Sequence, residues 1–238
     1  MGFGWSKKES KEEKASGKLP ILDGFDWIKK GDDLVNSGKH KEAIKCYDKA
    51  IEMDPKNAHA WQNKGKVLSS TTSARGLFIN NQDRYDAIDC FKKVIELDPN
   101  NAANAWLCIA EVLAELNIKK NSNDIIMCCD AALDNQIPSQ IFNSETGEPF
   151  PLHLYTYLLK ARVFLALEKY KETFEYCDKV LEKIPKEKGI WEMKAHAAGK
   201  LKKHEEALKC YEKILELDPE NYGAQYEAKK EREYISKH

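Results

Sequence analysis

From Gly24 onward, large and small apolar positions recur three and four places apart: Trp27, Gly31 and Leu34, then Ala43, Tyr47 and Ala50, with Pro55 closing the run. That spacing gathers each triplet on one face of a helix. Ser37-Gly38 ends the first predicted helix and Asp54-Pro55 the second, because glycine accepts left-handed backbone and proline cannot continue the hydrogen-bond ladder. The pattern returns as Tyr157, Ala161, Phe164, Thr173, Cys177, Val180 and Pro185, and again as Trp191, Ala195, Ala198, Ala207, Tyr211, Ile214 and Pro219. In all three copies the leading aromatic precedes its proline by 28 residues, and Pro185 and Pro219 stand 34 apart. A period of that length signals a stack of helical hairpins.

Two further copies carry extra chain. Trp61, Gly65 and Leu68 are completed late by Ala87, Phe91, Val94 and Pro99; Pro55 to Pro99 is 44 residues, which places an insert at 69–80. Trp106, Ala110 and Leu113, with Ile125, Cys129 and Ala132, form the most altered copy, and Ser139–His153 follows it as a second insert. The predicted organisation is a flexible charged segment at 1–19 and repeats at 24–57, 58–101, 102–138, 154–187 and 188–221, with a capping helix at 222–238. Gly31, Gly65, Ala110, Ala161 and Ala195 are expected to let paired helices approach closely, since a larger side chain would overpack the contact by about 1–3 kcal/mol.

The stretches A-W-Q-N-K-G-K-V-L and Y-D-A-I-D-C-F-K-K-V-I-E-L-D-P-N resemble the tetratricopeptide repeat family, in the spelling of prokaryotic and archaeal arrays, over about Gly24 to Asn221. The resemblance implies an all-α, right-handed superhelical solenoid of about five hairpins plus the capping helix. It also implies a concave groove, lined by the first helix of each pair, that holds an extended or helical peptide. Projecting those helices gives a polar N-terminal half, with Phe25, Ile28, Lys29, Asp32, His59, Gln62, Asn63 and Lys66, and a more apolar C-terminal half. The latter comprises Tyr155, Leu158, Leu159, Arg162, Leu165, Met193 and His196. Some family members grip a terminal carboxylate with lysine and asparagine. Here Asn63 matches one such place, while Ile28, Asp32, Cys108 and Glu111 occupy others, and an acid at Asp32 would repel a carboxylate. Ile141, Phe142 and Phe150, in the second insert, adjoin the apolar half and are candidates to plug it; Leu77, Phe78 and Ile79 end the first insert similarly.

Composition narrows function further. With 38 basic and 39 acidic residues the net charge is -1, so no overall field attracts nucleic acid. Only four of the cations are arginine (Arg75, Arg84, Arg162, Arg232), and lysine is the weaker choice for bidentate phosphate or base-edge contacts. No apolar run reaches the roughly 20 residues of a membrane span, so a soluble, cytoplasmic protein without stable membrane insertion is expected. The opening M-G-F-G-W-S superficially fits a myristoylation signal, and Phe3 and Trp5 beside Lys7 and Lys8 could touch a membrane surface, but a single short anchor binds weakly.

Cys46, Cys90, Cys128 and Cys210 share one repeat position; with Cys129 and Cys177 they read as packed, reduced thiols. His204-Glu205-Glu206 begins a zinc-protease motif, but Leu208 stands where the second ligand belongs. Lys30, Lys64, Lys160 and Lys194 recur just before the small residue, and their stems are expected to lie along apolar surface with the ammonium in water. No nucleophile with base and orienter, phosphate loop, metal set or cofactor site can be assembled. A non-catalytic scaffold or adaptor with a protein or peptide partner is the expected function, and a structural subunit that self-associates or stacks in a larger assembly is the alternative.

Overall fold

The computed structural model describes residues 22–70, 80–135, 140–142 and 149–238, with backbone alone at 101, 140–142, 149 and 150. Eleven α-helices follow one another: α1 (Gly24–Asn36), α2 (His40–Met53), α3 (Ala58–Ser69), α4 (Asn81–Leu97), α5 (Ala103–Asn117), α6 (Ser122–Asp134), α7 (Leu152–Ala166), α8 (Tyr170–Leu181), α9 (Lys188–Lys200), α10 (His204–Leu217) and α11 (Tyr222–Ile235). Each helix packs on the next, giving five hairpins and a closing helix. Successive odd-numbered helices from α1 to α9 also touch one another, so they form the inner layer of the solenoid. The 1–19 segment and the apolar end of the first insert lie outside the described residues.

One departure from an all-helical chain is visible among the described residues. Gln140–Phe142 (β1) pairs antiparallel with Pro149–Pro151 (β2), Ile141 opposite Phe150, and β2 runs directly into α7. The helix therefore starts at Leu152, inside the predicted second insert. The side chains of Ile141, Phe142 and Phe150, on which a plug would depend, lie outside the described residues.

Packing explains the small residues. A Cβ at Gly31 would come within 2.5 Å of the Tyr47 ring, and one at Gly65 within 2.8 Å of Phe91. In the third and fourth hairpins the small residue is Ala110 or Ala161 and the large partner position holds Cys129 or Cys177, all fully buried. Glycine thus accompanies a ring, and alanine a thiol. The fifth pairs Ala195 with Tyr211, which stays half-buried, whereas Tyr47 and Phe91 are enclosed.

The turns repeat as well. Gly38, Glu168 and Lys202 occupy equivalent places after α1, α7 and α9, and all three have positive φ, at 75°, 59° and 58°. At the other end of each unit, the Trp61 and Trp191 indoles donate to the carbonyls of Pro55 and Pro185 at 3.0 and 2.8 Å, and Gln225 does the same to Pro219 at 2.8 Å. These bonds tie three of the linkers, those before α3, α9 and α11, to the helix that follows.

Candidate functional site

At the position five places after the leading residue, each odd-numbered helix carries a charged or ionisable side chain: Asp32, Lys66, Glu111, Arg162, His196 and, on the closing helix, Lys230. Signs alternate over the first four. Asp32 is already engaged, because one of its oxygens accepts from Tyr47 Oη at 2.7 Å and from Asn63 Nδ2 at 2.9 Å. A pocket of about 230 Å³ between α1 and α3 is lined by these three residues with Val35, Asn36, Lys66 and Val67. Asn63, the residue that fits a carboxylate clamp, spends its amide on Asp32 and so has less to offer a ligand anion.

At mid-groove, burial raises the Glu111 carboxyl above its ordinary value of 4.5, against the opposing pull of the Tyr155 hydroxyl and the Arg162 guanidinium. Burial likewise raises the Tyr155 hydroxyl, with the Glu111 charge and hydrogen bond adding to the effect. Arg84, at the start of α4, lies 3.5 Å from Glu115.

The projected groove residues divide in two. Phe25, Lys29, His59, Lys66, Arg162 and His196 are exposed, and Asp32, Gln62, Asn63, Tyr155, Leu158, Leu165 and Met193 are half-exposed. Ile28 and Leu159 are core residues, at 4% and 2% exposure, which corrects their placement in the groove. Ile28 packs with Ala60 and Val67 of α3, and Leu159 joins the cluster built on α4, α5 and α6. Both point into the seam between neighbouring inner helices, where a branched side chain is covered.

The lysine row behaves differently from the sequence expectation. Lys64 bonds Asp48 at 2.6 Å, Lys160 bonds Asp130 at 2.6 Å, and Lys194 bonds Asp178, each acid lying on the preceding helix. Their ammonium groups are paired across repeats and not simply hydrated. Where α4 has Lys92 at the acid position, α5 carries Ile109 in place of the lysine; where α11 has Ala228 there, Arg232 one turn on reaches Glu212 at 3.0 Å. The signal was readable as an acid directly after each Tyr or Cys at the large position.

Profiles of the family described as "TPR repeat" and "Tetratricopeptide repeat" match residues 31–70, 77–101 and 190–221. These segments of the chain are tetratricopeptide repeats. No curated protein sequence matches it. Among solved structures, MamA from Desulfovibrio magneticus RS-1 shares 16% identity over 84% of this chain and 97% of its own, with a TM-score of 0.63. YrrB, described as a TPR protein with an unusual peptide-binding site, gives 17%, 87% and 92% with 0.62. PilF of Pseudomonas aeruginosa gives 16%, 90% and 84% with 0.63. At such identities the likeness is one of fold.

Within this tetratricopeptide array all seven cysteines lie on helices as free thiols, and burial raises every one, with Cys108, Cys129 and Cys177 pushed up to about 12. Such thiols are poor nucleophiles near neutral pH. His204 opens α10, where its Nδ1 meets Glu231 at 2.7 Å and its ring stacks on Tyr234. Two residues escaped the sequence projection: Tyr222 and Tyr226 on α11 are 82% and 68% exposed, a face that the charged composition of this helix concealed. No described helix is long and apolar enough to cross a membrane.

Proposed function

We propose that this protein is a non-catalytic scaffold that holds a segment of another protein along its concave face. The observation that carries the reading is the two-part inner layer. Its N-terminal half offers polar and oppositely charged groups, and its C-terminal half leaves Tyr155, Leu158, Leu165 and Met193 only half covered. Half-covered apolar side chains on a rigid helical frame are the anchors an amphipathic peptide uses, while alternating charges set its register. The fold shared with YrrB, described as having a peptide-binding site, supports the same reading.

Because opposite signs follow one another along the groove, a uniformly charged peptide meets repulsion as often as attraction. The favoured ligand is a segment with apolar anchors and mixed charge. Selection from a displayed library of random peptides tests this directly. Selected peptides should carry spaced apolar residues and lose binding to Met193→Glu and Leu158→Glu while tolerating Lys92→Glu on α4. Selection that yields nothing, or peptides indifferent to both groove variants, would remove the proposal. Self-association, the competing reading, would show as mass rising with concentration in light scattering.

A further inference from the structure

We propose that the N-terminal face of α1, centred on Trp27 and Lys30, is a second interaction surface, shaped for an acidic helix of a partner protein. The argument is independent of the concave groove and comes from the lysine row. Lys64, Lys160 and Lys194 are each closed by a carboxylate from the helix before them, and their side chains are only 23%, 7% and 15% exposed. Lys30 holds the same repeat position on α1, the first described helix. It is exposed, and among the described residues no carboxylate lies within ion-pair distance of it.

Lys30 Nζ sits 5.0 Å from the centroid of the Trp27 ring, as Lys64 and Lys194 sit over Trp61 and Trp191, and Lys49 Nζ, from α2, sits 4.2 Å from the Trp27 ring. One half-buried aromatic therefore carries two ammonium groups, neither of which is ion-paired among the described residues. Of the acids close to Lys30 in sequence, Asp32 is held by Tyr47 and Asn63, Asp23 and Asp26 are engaged with each other's backbone N–H groups in the capping box of α1, and the exposed Asp33 makes no ion pair with Lys30.

The repeat itself defines what fits. The neighbour that would continue the pattern is a helix packed on α1 as α2 packs on α3, presenting a carboxylate directly after a large residue, as Asp48 follows Tyr47. A second copy of this chain does not supply it. Its equivalent acid, Glu212, is already held by Arg232 beneath α11, and the acids of α11 itself, Glu227, Glu231 and Glu233, are taken by Lys230, His204 and Lys229, so α11 has no unpaired carboxylate to offer Lys30. Charge complementarity points to a different protein with an acidic amphipathic helix.

The probe is a helix-stapled peptide of residues 40–53, because this helix places Asp48 on Lys64 inside the native solenoid as the partner's carboxylate would sit on Lys30. Its three lysines and three acids leave it neutral, so it reads that single contact apart from overall charge, and stapling is needed because 14 residues are marginal as an isolated helix. Titrated against the full chain by fluorescence anisotropy, it should bind saturably, and Lys30→Glu should weaken it about tenfold or more, the scale of inverting a close interfacial charge pair. The peptide carrying Asp48→Lys should regain affinity for the Lys30→Glu protein, while Lys92→Glu should change nothing. Equal thermal melts of both variants and the parent establish that folding is intact. The proposal fails if Lys30→Glu binds the peptide as the parent does, or if no binding appears at millimolar peptide. It also fails if sedimentation shows self-association abolished by Lys30→Glu, or if removing residues 1–21 raises peptide affinity about tenfold, since either result gives the surface to this chain itself.

Discussion

Gly31→Ala should destabilise the protein, yet become stabilising once Tyr47 is truncated. The added methyl would lie 2.5–2.9 Å from three atoms of the Tyr47 ring, so the ring must move. Overpacking of this kind costs about 1–3 kcal/mol. Replacing a mid-helix glycine by alanine returns about 1 kcal/mol of helix propensity, leaving a net loss of up to about 2 kcal/mol. Tyr211, the ring paired with Ala195, is half-buried where Tyr47 is enclosed. At Tyr47 that movement also strains the bond from its hydroxyl to Asp32. In a Tyr47→Ala background the clash is gone, and Gly31→Ala should stabilise by about 0.5–1 kcal/mol through propensity alone. Urea denaturation of the four proteins gives the coupling energy, expected at about 1–3 kcal/mol. Coupling near zero would refute the packing argument.

Four further outcomes follow from the same geometry. Asp130→Ala should cost about 1–3 kcal/mol, more than Asp48→Ala, because Lys160 is less exposed than Lys64 and loses its partner with less water to replace it; equal losses in urea titration would contradict this. Glu168→Gly and Lys202→Gly should each raise stability by up to about 1 kcal/mol, since both residues hold positive φ that glycine adopts without strain; a fall in thermal midpoint would oppose it. Burial raises the Glu111 pKa, so the ionised carboxylate is less favourable in the native state than in the unfolded chain, and stability falls as pH rises from 4.5 through the folded value. Glu111→Gln should therefore raise the melting temperature at pH 7 but not at pH 4. Finally, the raised thiols should react with a disulfide reagent at pH 8 only after unfolding, and one rapidly labelled native cysteine would contradict that.

The sequence made the architecture legible because its strongest constraints are local and repeated. Trp27, Trp61 and Trp191 with their prolines and small residues mark helix faces and ends without any tertiary information. What escaped depends on neighbours. Ile28 and Gln62 share a repeat position, but Ile28 is covered by Ala60 and Val67, whereas Gln62 stays half-exposed; periodicity assigns a direction and not a depth. The strand pair before α7 belongs to an insert with no period to read. The acid partners of Lys64, Lys160 and Lys194 lie 16 to 30 residues away across a linker, and they become visible only when repeats are aligned as neighbours in space. Asn63 likewise looked like a ligand group until Asp32 was seen to take its amide.

The central claim is that the inner layer receives a protein segment, and hydrogen exchange with and without a library-selected peptide tests it most directly. Exchange should slow on α7 and α9, around Tyr155, Leu158 and Met193, with smaller effects on α3 and α5 and none on the outer faces of α4, α8 and α10. Protection confined to the even-numbered helices, or protection that appears on raising protein concentration without peptide, would contradict it.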